Sequence, residues 1–165
     1  ENGAEVIREL PDFGKIVGVY GWPCSGKDTF IKAHLGDYHE IVVSDVVREV
    51  SKETSTQELA QTGDLHQKIV EKLDFLLAAY RTDDKKVVIN GIRQVEIFDA
   101  LRPFLNSNIW LDVPYSEREA RYILRARESD DLSYEELMDL NAELGLEALE
   151  KKLEVYHYNT YKIEN

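Results

Sequence analysis

A disulfide framework is excluded at once, because the sequence holds a single cysteine, Cys24, and a bridge within the chain needs two. That lone thiol fits a reducing compartment. Four scattered histidines and one cysteine offer no spacing for a structural zinc site. No apolar run approaches the roughly 20 residues that span a bilayer, and residues 1–14 lack the basic-then-apolar order of a secretory signal. They read as an N-terminal extension. Positive charge is in short supply: 20 Lys and Arg stand against 32 Asp and Glu, a formal net charge of −12. Such a chain repels nucleic acid and anionic membranes at long range, so neither is an expected partner. Repeats and Gly/Pro-rich linkers are missing as well, and residues 15–165 read as one domain. The expectation is a cytoplasmic protein, monomeric or homodimeric.

What is present is an alternation. Short apolar, β-branched runs at 15–20, 40–44, 86–89, 108–113 and 160–164 read as strands. Between them lie helical patterns: Lys27 to about Leu35, a stretch from near Asp45, and 94–105. A stripe at Leu65, Ile69, Leu73, Leu76, Leu77 and Tyr80 marks a helix within 59–80. Ser116 is the expected N-cap of a basic helix. Ser133, with Glu136 three residues on, has the capping-box pattern at the head of the last helix. Strands alternating with helices predict an α/β fold, a parallel sheet covered on both faces. In such a sheet ligands bind beyond the carboxyl ends of the strands, so function is sought in the segment that leaves each strand.

The first strand leads into Gly21-Trp22-Pro23-Cys24-Ser25-Gly26-Lys27-Asp28-Thr29. Gly21, Gly26 and Lys27 match a phosphate-binding loop, with Asp28 where Ser or Thr is usual. Glycines let backbone N–H groups turn inward around phosphate oxygens, and the helix behind them adds its partial positive end. A glycine-rich turn without a ligand is the plainer alternative; the strand before and the helix after favour phosphate. The second strand leads into Asp45 and Arg48, which share a helix face. They read either as a cap with a solvated arginine or as a fork for a phosphate. Asn90-Gly91-Ile92-Arg93 closes the third strand. After the fourth come Val113-Pro114 and then Arg118, Arg121, Arg125 and Arg127, four of the nine arginines within ten residues. At 100° per residue the first three fall within about 60° of one another. Arg127 lies opposite, or on the next loop. Such a face is either solvated or closed over an anion. Trp22 and Pro23 are expected to shape the loop and Cys24 to fill space there, while Tyr156, Tyr158 and Tyr161 read as core or interface.

In this order the motifs resemble adenylate kinase and its relatives, whose Gly-Lys-Gly-Thr corresponds to Gly26-Lys27-Asp28-Thr29. They look still more like the phage-type deoxynucleoside monophosphate kinases and the archaeal adenylate-kinase-related proteins, some of which carry Gly-Lys-Asp-Thr. The resemblance implies a P-loop NTPase three-layer sandwich with five strands in the order 2-3-1-4-5, a helical acceptor insert near 45–80 and a short lid near 118–132. It implies transfer of a phosphoryl group from ATP to a nucleoside monophosphate or a similar small acceptor. ATP and Mg²⁺ would lie on residues 21–29, with Lys27 on the outer phosphates and Thr29 near them. Arg121 and Arg125 would stabilise the moving group. Asp45, Arg48 and Arg93 would hold the acceptor's phosphate, Gly63 would approach the acceptor closely, and Arg118 and Arg127 would also face substrate. One departure stands out. The kinases hold magnesium through water with an Asp where this chain has Asn90, so Asp28 is expected to supply the missing charge. The same residues allow two other readings: a nucleotide-binding regulator with little turnover, and a kinase of the dephospho-coenzyme A type.

Overall fold

The computed structural model describes residues 10–53, 65–82, 84–125, 132–155 and 159–165. Five strands form one sheet: β1 (Ile16–Tyr20), β2 (His39–Val42), β3 (Val87–Asn90), β4 (Ser107–Asp112) and β5 (Thr160–Glu164). Every pairing is parallel, and the order across the sheet is β2-β3-β1-β4-β5, as the resemblance implied. β1, β3 and β4 are central and buried along almost their whole length, whereas β2 and β5 are edges with exposed residues. Continuous apolar runs and alternating ones therefore mark centre and edge respectively.

Seven α-helices are described: α1 (Lys27–His34), α2 (Val43–Glu53), α3 (Leu65–Thr82), α4 (Val95–Leu101), α5 (Tyr115–Arg125), α6 (Tyr134–Glu143) and α7 (Leu146–Val155). Side-chain alternation divides each strand between two cores. Tyr20, Ile89 and Trp110 pack with Val46, Leu73, Phe98 and Leu149 on one face. Val17, Val19, Val88 and Ile109 pack with Phe30, Ile31 and Leu35 on the other. A third cluster joins α5 to α6 through Tyr122, Tyr134 and Met138. Between the strands, the Tyr20 hydroxyl donates to Asn108 Oδ1 at 2.6 Å, and burial pushes the Tyr20 pKa up.

Three local expectations need correction. The basic helix starts at Tyr115, not after a Ser116 cap: the Pro114 carbonyl takes the first amides, from Glu117 at 3.1 Å and Arg118 at 3.0 Å. Proline fixes the φ that a helix needs at its start, which leaves the Ser116 hydroxyl no cap to make. The helix of 94–105 stops at Leu101 and tightens into a 3₁₀ turn, Arg102–Phe104, where Pro103 can donate no amide. The chain after Ser133 forms two helices, not one, with α7 restarting beyond Gly145. The capping box is present, Glu136 N donating to Ser133 Oγ at 3.1 Å and Ser133 N to Glu136 Oε1 at 2.9 Å. Among the described residues no helix is long and apolar enough to cross a membrane. Gly63, Arg127, Tyr156 and Tyr158 lie outside the described residues.

The packing sets a ranking of stability. Leu73 is fully buried in the core that joins the sheet to α2, so Leu73→Ala lowers the unfolding free energy by about 2–5 kcal/mol. Ser133→Ala, which removes only a cap, costs about 1 kcal/mol. Urea unfolding with an unchanged m-value checks both, and equal losses would contradict the packing described.

Candidate active site

The loop between β1 and α1 is held by two close approaches. A Cβ on Gly21 would sit 2.3 Å from Ser25 Oγ, so only glycine allows the loop to fold back on itself there. Gly26, at the N-cap of α1, has φ of 83°, a left-handed conformation that glycine adopts without strain. Cys24 is left-handed too, with φ of 66°. No side chain caps α1, and the first amide to reach a helical acceptor is that of Phe30, on Gly26 O at 2.9 Å. The amides before it lie at the positive end of the helix, which is the arrangement that receives an anion.

Lys27 leaves this loop with one hydrogen bond, to Gly21 O at 3.3 Å. Its pKa is lowered to about 8, first by loss of water around the ammonium and next by the nearby Arg93 guanidinium. Arg93 comes from the segment after β3 and Arg125 from the end of α5. Both line the same cleft as Lys27, about 340 Å³ in volume, with Asp28, Asn90 and Asn141. Neither Arg93 nor Arg125 makes an ion pair among the described residues, and Arg125 stacks over the Tyr122 ring. Three cations thus converge on one cleft without forming ion pairs there. The cleft is bordered on two sides. Toward α5 a space of about 430 Å³ is lined by Gly26, Thr29, Arg121 and Asn165. Toward α2 and α3 lies a more apolar cavity of about 380 Å³, walled by Val43, Val47, Ile69 and Ile97, with Arg48 and Arg93 on its lining.

The remaining expected residues are distributed unevenly. Arg121 NH1 donates to Cys24 O at 3.2 Å and NH2 to Asn165 O at 2.9 Å and to Glu117 Oε1 at 3.1 Å, so it bridges α5, the loop and the end of the chain beyond β5. Arg48 is exposed and paired with its neighbour Asp45. Arg118 does not turn toward the cleft. Its guanidinium lies among the rings of Trp22, Tyr115 and Tyr134, and its donors go to Val113 O, the Tyr134 hydroxyl and Met138 Sδ. Tyr134 in turn donates to Pro23 O at 2.7 Å. Arg118 therefore braces the loop through Trp22 and Tyr134. Trp22 belongs to the same brace, its Nε1 donating to Glu150 Oε1 at 3.1 Å.

Two polar residues went unnoticed in the sequence. Asn165 Nδ2 donates to Ser25 O at 2.8 Å, across 140 positions. The strand order carried a signal for it, because β5 runs parallel beside β4 and must deliver its end to the same side of the sheet. Glu40 accepts from Asn90 Nδ2 at 2.8 Å, and Asp28 accepts from the same nitrogen at 3.0 Å. Nothing in the spacing of Glu40 announces this. Only the pairing of Val42 with Asn90 brings the two together. Among the described residues no group of three His, Cys, Asp or Glu side chains is placed to hold a metal by itself; here two carboxylates meet an amide.

No family model and no curated protein matches this sequence. Solved structures do. A Thermus thermophilus protein, TT1252, shares 17% identity at a TM-score of 0.58, over 93% of this chain and 90% of that one. An unliganded sugar kinase from Janibacter sp. HTCC2649 shares 18% identity at a TM-score of 0.59, over 91% of this chain and 84% of that one. The chain shares the fold of these two structures, an α/β fold built on a five-stranded parallel sheet. At such identities the likeness carries the fold and leaves the chemistry to the residues of the cleft.

The lowered pKa of Lys27 makes a sign-specific prediction. If the cleft takes a polyanion, binding restores the proton on Lys27, so affinity is full below about pH 8 and falls as pH rises through that value. Lys27→Met weakens binding at pH 7 about 100-fold and abolishes that dependence. Calorimetric titrations on either side of that pH check both effects.

Proposed function

We propose that the chain transfers the terminal phosphoryl group of ATP to a small phosphate-bearing acceptor, of which a nucleoside monophosphate is the best fit. The observation that carries this reading is the convergence of Lys27, Arg93 and Arg125 on one cleft in a chain whose formal charge is −12. Unpaired cations repel one another in a partly desolvated space unless an anion joins them. The position of that cleft supports two phosphate groups and not one. On its loop side are open helix amides, suited to a polyphosphate. On its other side the apolar cavity offers Val43, Val47 and Ile69 to a ring, and Arg48 and Arg93 to the phosphate attached to it.

Little covalent chemistry is asked of the protein. A phosphate acceptor is already anionic at neutral pH, so no general base is required, and positioning with charge stabilisation supplies the rate. Lys27 and Arg93 face the cleft where the groups would meet, and Arg125 enters from α5, the lid of this reading. Arg121 is already drawn onto Cys24 O and needs to exchange that carbonyl for a phosphate oxygen to contribute.

The donor set beside the loop fits magnesium. Asp28 and Thr29 are exposed hard oxygen donors at the start of α1, and Asn90 Oδ1 is buried without a partner. When bound, the ion would supply charge neutralisation between adjacent phosphates. The reading implies a compartment that supplies ATP, the cytoplasm.

Asn90 favours a second reading, a nucleotide-binding regulator with little turnover, because an amide brings no charge to the ion. One experiment separates the two. ADP release is measured with ATP and Mg²⁺ over a panel of ribo- and deoxyribonucleoside monophosphates, dephospho-coenzyme A and unphosphorylated sugars. The kinase reading expects acceptor-dependent turnover on a phosphate-bearing member, lost in Lys27→Ala, with Arg93→Ala lowering kcat/KM by about 10²-fold or more. Tight ATP binding without turnover on any acceptor selects the regulator. Turnover on sugars alone contradicts the acceptor assignment.

A further inference from the structure

Asp28 and Glu40 form the one carboxylate pair among the described residues that a single buried group ties together beside the candidate phosphate loop. Asp28 opens α1 and Glu40 lies on the edge strand β2, and Asn90 Nδ2 donates to both, at 3.0 and 2.8 Å. Neither carboxylate is in an ion pair with a described residue. Two like charges gathered around one neutral amide raise each other's energy, and an amide donor offsets this only in part. Asn90 itself is 4% exposed, and its Oδ1 has no hydrogen-bond partner. A buried amide oxygen left unsatisfied is costly to the fold. It belongs to the same amide group whose nitrogen faces the two carboxylates, and an asparagine side chain presents either atom by a half turn. All the donors gathered here are hard oxygens, which suit Mg²⁺ or Mn²⁺ and not a soft metal.

We propose that Glu40 supplies the negative charge that Asn90 lacks, so that Asp28, Glu40 and Asn90 Oδ1 together hold a divalent cation beside the phosphate loop. The charge that the resembling kinases carry at the end of the third strand is moved, in this chain, to the neighbouring strand. The register makes the transfer possible: Val42 pairs with Asn90, and Glu40, two residues earlier, projects from the same face of β2. A half turn of the Asn90 amide then exchanges its two Nδ2 hydrogen bonds for one neutral oxygen on the ion, and the two carboxylates carry the charge. The inference rests on the kinase reading for the purpose of the ion, but not for its binding.

The test uses the intact chain and the ion itself. Bound Mn²⁺ is counted by electron paramagnetic resonance, without nucleotide and with saturating ADP, and Mg²⁺ is used as competitor. Glu40→Gln, isosteric and exposed, is expected to weaken Mn²⁺ about 10-fold or more. Asn90→Asp placed in that background returns the charge to β3 and is expected to recover most of the loss. Asp28→Asn serves as the second probe, with a loss of similar size. Thermal melts establish that each variant is folded. A purely structural tie would lower the melting temperature in Glu40→Gln and leave Mn²⁺ affinity where it was; that result overturns the proposal. So does a folded Glu40→Gln that loses Mn²⁺ and is not rescued by Asn90→Asp, or a wild-type chain that binds no Mn²⁺ in either condition. A chain that binds Mn²⁺ through Glu40 yet takes up no ATP keeps the cation site and overturns the kinase reading alone.

Discussion

Positive charge gathered at one end of a parallel sheet, and answered only in part by Asp28, is the constraint around which this molecule is arranged. Acidic residues outnumber basic ones by twelve, yet Lys27, Arg93 and Arg125 face a common cleft without ion pairs to described residues. The cost is visible in Lys27, whose proton is held less tightly because water is excluded and Arg93 is near. A fold keeps such a cluster only where other interactions over-determine it. Here β1, β3 and β4 supply that rigidity, each buried along nearly its full length and each sending a cation-bearing segment from its carboxyl end.

The supports around the cleft answer the same need. Gly21 lets the loop close on Ser25, and Gly26 turns the chain into the helix end. The chain of contacts from Arg118 through Tyr134 to Pro23 holds the loop against α5 and α6. An arginine in that place brings charge near the site without contacting it and packs three aromatic rings around a planar group. At another wall of the cleft the carboxylates of Asp28 and Glu40 gather on Asn90, with Asp28 near enough to Lys27 to favour its charged form.

Much of this was legible in the sequence because it is local. A strand of β-branched residues, a glycine-bounded loop and a lysine at the start of a helix are features of adjacent positions, and they fall where the spacing put them. The same holds for the capping box at Ser133 and the stripe that buries Ile69, Leu73 and Leu77. Legibility failed where a side chain had two competing partners. Arg118 shares a helix face with Arg121 and Arg125, but rings from the loop and from α6 claim it first. Ser116 has cap chemistry, but Pro114 starts the helix earlier. Glu40 and Asn165 depend on register and strand order, which no window of the sequence contains.

If one polyanion occupies the cleft and extends toward the acceptor cavity, affinity must depend on how far a chain of phosphates can reach. Titration with a series of linear inorganic polyphosphates, from pyrophosphate upward and free of any base, measures this directly. The predicted result is affinity that climbs with each added unit until the cleft is filled, and a climb that flattens in Arg93→Ala because the far cation is gone. Affinity indifferent to length, or equal in Lys27→Ala and wild type, would contradict the convergence of cations on a single polyanion.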